Sequence, residues 1–210
     1  MEADFWHRKW ANNETGFHEG EANALLVKHF GRLSIPEGGR VFLPLCGKTR
    51  DIAWLLSQGY RVAGAELSEV AIQQLFDELG TEPEVSAAGN LTHYRADKID
   101  MFVGDIFQLS GNLLGQVHAV YDRAALVALP DSMREVYTSH LMDITGRAPQ
   151  LLITFEYDQE LMDGPPFSIR DGEVRQHYRN HYRLTQLERK DVPGGFKGQC
   201  AARESAWLLT

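Results

Sequence analysis

Three positions stand where apolar runs end and carry groups suited to holding a polar organic ligand: Gly47, Glu66 and Arg123. Gly47 belongs to the string Phe42-Leu43-Pro44-Leu45-Cys46-Gly47-Lys48-Thr49, in which a short strand-like run turns into a helical one. A glycine there lets the backbone come close to a ligand. Nucleoside triphosphate binding by a GxxxxGK(S/T) loop is excluded, because Phe42 stands where the first glycine of the cradle belongs. A dinucleotide fingerprint requires glycines that let backbone approach a pyrophosphate, and this turn has one.

A cofactor without phosphates needs less: one glycine, backbone groups for an amino-acid moiety, and a helix N-terminus for a carboxylate. S-adenosyl-L-methionine meets that description. Gly47 alone would be an ordinary turn glycine. Glu66, nineteen residues later at the end of the next apolar run, changes the balance, because that is where an acid accepts both hydroxyls of a ribose. Asp105 and Ile106 follow a third run and are placed to meet an adenine, Asp105 at its amino edge and Ile106 on its face; Asp105 reads equally well as a helix cap. Arg123 ends the run Val117–Asp122 and offers a planar fork of donors to a carboxylate or an anionic acceptor, a catalytic role by positioning and charge stabilisation. Its structural alternative is an ion pair with Asp122 or another neighbour.

Trp6, Trp10 and Phe17 precede these runs and fit an aromatic lid that stacks on a flat acceptor and faces a cationic centre, or else a hydrophobic staple on the core. Gly164-Pro165-Pro166-Phe167 reads as a wall of the acceptor pocket, with Pro166 and Phe167 its contact residues, or as a stiff turn. His177 and His181 have an i, i+4 spacing but no HExxH context, so no metal site is expected and both are assigned to a solvated segment. The basic and aromatic stretch 175–183 is read as ordinary surface.

The elements that must position these groups alternate. The periodicity predicts a helix over 21–30, a strand over 40–45 that Pro44 stops, a helix over about 49–58, a strand over 61–66, and a helix from Ser68 to Leu79. Residues 80–97 are turn-rich, apart from a hairpin of 91–95 with a strand at 98–103. Strands follow at 117–122 and 150–155 with a helix near 131–144 between them, and 182–191 with 201–209 close the fold as an antiparallel pair. Such alternation gives a mostly parallel α/β sheet with helices on both faces, whose ligands sit beyond the carboxyl ends of the strands. That places Leu45, Cys46, Gly47, Glu66, Asp105 and Arg123 at one rim.

The 210 residues carry a net charge of -8 and a pI near 5.5, which argues against nucleic acid as a partner. Cys46 and Cys200 form neither a metal pair nor a disulfide framework, and no window approaches a membrane span, so a reduced cytoplasmic setting is expected. No repeat or long linker appears; the chain reads as one domain over 1–210, with a lid segment over about 1–35.

Taken with Trp6-His7-Arg8-Lys9-Trp10, Phe17-His18, Gly64-Ala65-Glu66-Leu67-Ser68 and Tyr121-Asp122-Arg123-Ala124-Ala125-Leu126-Val127-Ala128, these strings resemble the thiopurine S-methyltransferases, particularly the bacterial ones, collinearly over nearly the whole chain. The resemblance implies the Rossmann-like, seven-stranded class I S-adenosylmethionine-dependent methyltransferase fold with its last strand antiparallel. It also implies cofactor contacts at Trp10, Leu45, Glu66 and Arg123, with Asp105 and Ile106 in support, and a monomer. The activity it implies is S-methylation of small aromatic or heterocyclic thiols, with selenium or tellurium acceptors and a non-catalytic cofactor-binding module as alternatives. Nucleic-acid amine methylation is disfavoured, because Asp122-Arg123-Ala124 stands where such enzymes carry an acid or amide followed by Pro-Pro-aromatic. The C-terminal arginine segment of the animal enzymes has no clear counterpart over 190–203.

Overall fold

The computed structural model describes residues 3–12, 14 and 19–210. Helix α1 (Ala3–Ala11) comes first, then α2 (Ala24–His29), which begins after the expected start because the Asn23 side chain accepts from the N–H groups of Leu25 and Leu26 at 2.9 and 3.4 Å. The alternation that follows is β1 (Arg40–Pro44), α3 (Arg50–Ser57), β2 (Arg61–Glu66) and α4 (Glu69–Leu79), then β3 (Glu84–Ala88), β4 (Leu91–Ala96) and β5 (Ile99–Val103). The rest is α5 (Gly111–Leu114), β6 (Ala119–Arg123), α6 (Asp131–Thr145), β7 (Gln150–Tyr157), α7 (Asp171–Tyr178), β8 (Leu184–Asp191) and β9 (Ala202–Leu209).

All strands join one sheet in the order β3-β4-β5-β2-β1-β6-β7-β9-β8. β1 lies parallel to both β2 and β6, β2 to β5, and β6 to β7, while β9 runs antiparallel between β7 and β8. From β1 the chain winds outward through β2 and β5, then returns to wind the other way through β6 and β7. The order therefore reverses between β1 and β6, and a crevice opens at their carboxyl ends.

Alternate strand residues serve opposite faces. Val41, Leu43, Tyr121 and Ile153 join one buried cluster with Leu25, Ile52 and Ile72 from α2, α3 and α4. Phe42, Val120, Leu152 and Trp207 join the other with Tyr137, Leu141, Val174 and Tyr178 from α6 and α7. Burying both faces leaves the rim at the strand ends as the place where polar groups can meet a ligand.

Two expectations need correction. The sheet has nine strands and not seven: the seven-strand order β5-β2-β1-β6-β7-β9-β8 is present, and β3 and β4 extend it. β3 was invisible to periodicity because nearly all its side chains are exposed, so no apolar alternation marks it; the turn Gly89-Asn90, with Gly89 at φ 65°, folds it onto β4. Second, His177 does not sit on a solvated segment. It lies on α7 with its side chain 7% exposed, 3.5 Å from Glu173, while His181 beyond the helix is exposed.

Candidate active site

The turn after β1 is built from strained and glycine-dependent backbone. Leu45 holds φ 45°, costly for a branched side chain, and Gly47 holds φ 54°. A Cβ on Gly47 would lie 2.8 Å from Cζ2 of Trp10, so the indole of α1 rests directly on this glycine. Trp10 is correspondingly buried. Thr49 then caps α3, its hydroxyl accepting from the Asp51 N–H at 3.3 Å.

Glu66, the last residue of β2, faces that turn. Its Oε2 accepts from the Gly47 N–H at 2.7 Å and its Oε1 from the Ser68 N–H at 2.9 Å. Burial pushes its carboxyl up from the ordinary range, and the backbone N–H groups of Ser68, Gly47 and Leu67 oppose that rise. An ionised carboxylate has about four acceptor positions, so each oxygen keeps capacity for another donor.

Arg123 ends β6 across the crevice. Its guanidinium Nη2 lies 2.6 Å from Oε1 of Glu19, so the neighbour it pairs with is a residue of the segment before α2. Asp122 points to the opposite face of the sheet, fully buried, accepting from the Tyr137 hydroxyl at 2.7 Å and the Leu126 N–H at 3.1 Å. Burial pushes its carboxyl up to about 6. Ala124, next in the chain, takes φ 63°, so both β1 and β6 end in non-glycine residues of left-handed backbone beside the crevice.

These groups share one cavity of about 620 Å³, a size suited to a small-molecule ligand. Trp6, Trp10, Leu45, Gly47, Glu66, Arg123 and Pro166 all line it. Asp105, Ile106 and Phe167 do not. Asp105 is exposed and accepts from the Phe107 N–H at 3.0 Å, the capping alternative. Ile106 is buried in the core, and Phe167 packs beneath the Arg134 guanidinium with its N–H bonded to the Val127 carbonyl. Phe17 lies outside the described residues.

Sequence reasoning missed the far side of the cavity: Thr154 and Phe155 of β7, and Val192, Phe196 and Lys197 of the β8–β9 connection. A signal was available. β8 runs parallel to β7, so the loop after it emerges at the same rim as the other strand ends. Glu19 had none, since nothing in its local sequence singles out that carboxylate.

A family model described as Thiopurine S-methyltransferase matches residues 1–207. The chain is 57% identical over 210 residues to the thiopurine S-methyltransferase of Xanthobacter autotrophicus, covering 100% of this chain and 99% of that protein. It is 53% identical over 210 residues to that of Teredinibacter turnerae, covering 100% and 98%. Among solved structures, the fold is similar to 1,6-didemethyltoxoflavin-N1-methyltransferase of Burkholderia thailandensis, solved with its substrate and S-adenosylhomocysteine, with TM-score 0.67 and 16% identity over 99% of this chain and 87% of that one. It is also similar to magnesium protoporphyrin IX methyltransferase of Synechocystis, with TM-score 0.61 and 17% identity over 100% of both chains. At such identities these two structures speak for the fold, that of class I methyltransferases.

Proposed function

The chain belongs to the thiopurine S-methyltransferase family, whose methyl donor is S-adenosyl-L-methionine, and on that premise we propose that it methylates the sulfur of small aromatic and heterocyclic thiols. The observation that carries this reading is the convergence of the Gly47 turn, the Glu66 carboxylate and the Arg123 guanidinium on one cavity that also presents an apolar, aromatic stretch of Phe155, Pro165, Pro166 and Phe196.

The residues present fit the donor. The free acceptor capacity on both oxygens of Glu66 suits the two hydroxyls of a ribose, and the carboxylate keeps its orientation through its own two backbone donors. Trp10 and Leu45 flank the turn that this acid faces, and the Trp10 ring offers a π face to a cation. Arg123 supplies a bidentate donor set to the amino-acid carboxylate or to an ionised acceptor. Bound there, S-adenosyl-L-methionine supplies an electrophilic methyl group on a sulfonium.

What the chain must then do is hold the acceptor sulfur in line behind that methyl carbon and keep water out; proximity and orientation alone can be worth several kcal/mol. Phe155, Pro165, Pro166 and Phe196 form an apolar wall suited to a flat ring. A heteroaromatic thiol is acidic enough to ionise near neutral pH, so no strong base has to be found in the wall. On the same reading the chain is one domain, closed by its first 35 or so residues, working as a monomer in the cytoplasm; light scattering tests the oligomeric state.

The deciding experiment is accumulation of S-adenosylhomocysteine when the protein is given S-adenosylmethionine and an aryl thiol. Turnover of selenols or tellurium species alone would redirect the acceptor class. Calorimetric cofactor binding with no product from a panel of thiols, selenols and oxyanions would make the protein a binding module.

A further inference from the structure

Four cationic side chains line the cavity, and three of them are occupied. Lys9 pairs with Glu14 at 2.5 Å, Lys48 with Glu78 at 2.7 Å, and Arg123 with Glu19 at 2.6 Å. Lys197 alone has no carboxylate partner among the described residues; its ammonium lies 5.1 Å from the centre of the Phe196 ring. Glu204, the acidic side chain of β9 at this end of the cavity, is engaged by Lys190 at 3.3 Å.

The loop that presents Lys197 is firmly built. The Phe196 N–H bonds to the Cys200 carbonyl at 2.8 Å and the Gln199 N–H to the Phe196 carbonyl at 2.9 Å. Gly195 has no room for a side chain, since a Cβ would lie 2.2 Å from the Cys200 carbonyl oxygen. The Phe196 ring is gripped by Phe155 and Tyr157, with ring centres 5.1 and 5.0 Å apart. Tyr157 is itself fixed by its hydroxyl, which donates to the Pro166 carbonyl at 2.7 Å. Lys197, at φ 51°, is therefore delivered to the apolar end of the cavity by a rigid aromatic support.

We propose that Lys197 is the acceptor-side counter-cation: its ammonium stabilises the ionised acceptor sulfur, so that the site selects flat thiols and selenols that bind as anions over neutral isosteres. The inference rests on the functional reading above and names the charge state of its substrate. An ammonium with no carboxylate partner among the described residues, set beside apolar rings at the edge of the cavity, attracts a bound anion with a strength that solvent reduces but does not abolish. The thiol gives its proton to solvent and its sulfur forms the new carbon–sulfur bond. The bond from the methyl carbon to the sulfonium sulfur breaks, the electron pair stays on that sulfur, and both products are neutral thioethers. The methylated product thus loses the attraction that held its precursor, which favours release.

Lys197 is exposed on its loop, so Lys197→Gln and Lys197→Arg should leave the unfolding midpoint and the calorimetric affinity for S-adenosylhomocysteine unchanged. The probe is an aryl thiol whose thiolate absorbs apart from its thiol, titrated with pH in its complex with protein and S-adenosylhomocysteine, where no turnover occurs. Its ionisation constant should be about tenfold larger than in free solution for the native protein and Lys197→Arg, and return to the solution value in Lys197→Gln. In turnover, the acid limb of the kcat profile should move to higher pH in Lys197→Gln. Equal ionisation of the bound thiol in the native protein and Lys197→Gln would overturn the assignment while leaving thiol methylation intact. A native protein that binds S-adenosylhomocysteine but no aryl thiol would overturn both.

Discussion

Glu66 and Asp122 are buried carboxylates at the ends of neighbouring parts of one sheet, yet their partners give them different work. Glu66 meets only backbone N–H donors and keeps acceptor capacity toward the cavity. Protonation turns one of its oxygens into a donor, so cofactor affinity should weaken as pH falls, starting at less acid pH than an ordinary carboxylate because burial raises this one. Glu66→Gln should bind S-adenosylhomocysteine roughly tenfold or more weakly, given the worth of hydrogen bonds to charged groups, and should show little of that pH dependence. Parallel loss of affinity in native and variant protein as pH drops would count against Glu66 as the acceptor. Asp122 faces the core, where burial raises its carboxyl to about 6 from the ordinary aspartate value of 3.8. Between those two pH values the folded protein binds the proton and the unfolded chain releases it, so this group's contribution to stability is present below the lower value and is lost as pH rises through the upper one. Asp122→Asn should therefore gain stability relative to the native protein between pH 4 and pH 7, by on the order of 3 kcal/mol at most. Denaturant unfolding at the two pH values checks it, and an unchanged difference would refute it.

At the scale of elements, Trp10 is the buried side chain of α1 that reaches the Gly47 turn. The helix packs beside α4 and lays that indole on Gly47. Removing the ring takes away the contact that seats α1 at the cavity but little of the two sheet-face clusters, neither of which contains Trp10. Trp10→Ala should accordingly weaken S-adenosylhomocysteine binding about tenfold, consistent with losing a buried aromatic contact, while the cooperative unfolding of the sheet changes modestly. Calorimetry and thermal melts followed side by side test this; unaltered affinity would remove Trp10 from the site. Sequence pattern revealed β1, β2, β4 to β9 and α2, α3, α4 and α6, most of them buried on a face or a stripe, where apolar spacing is imposed by the core. β3, exposed along its length, and α7, whose buried apolar positions are Val174 and Tyr178 beside an inward-turned His177, escaped because their positions depend on neighbours and not on their own pattern.

Over the whole molecule, the side of the cavity built by Gly47, Glu66 and Arg123 was legible in the sequence, while of the opposite wall Pro166 was singled out and Phe155, Phe196 and Lys197 were not. Gly47, Glu66 and Arg123 lie at the first turns of an alternating α/β chain, so fold topology alone brings them to one rim, and backbone chemistry explains why a glycine and an acid are needed there. Lys197 and Phe196 are assembled by the last hairpin, and Glu19 by a segment held down through the Asn23 N–H, which donates to buried Asp51 at 2.7 Å. Such placements come from long-range contacts that no local spacing records. For Asp105 and Ile106 the strand end was correctly located, and the turn after β5 directs Asp105 to solvent and Ile106 into the core, which local spacing does not record either.

The account is tested most directly by a crystal structure of the protein with S-adenosylhomocysteine and an aryl thiol. It predicts one continuous ligand volume in which the ribose hydroxyls donate to Glu66, the amino-acid end reaches toward Arg123, and the thiol ring lies on Phe196 with its sulfur aimed at the cofactor sulfur. A ribose bound away from Glu66, or a thiol in a separate cavity, would contradict it.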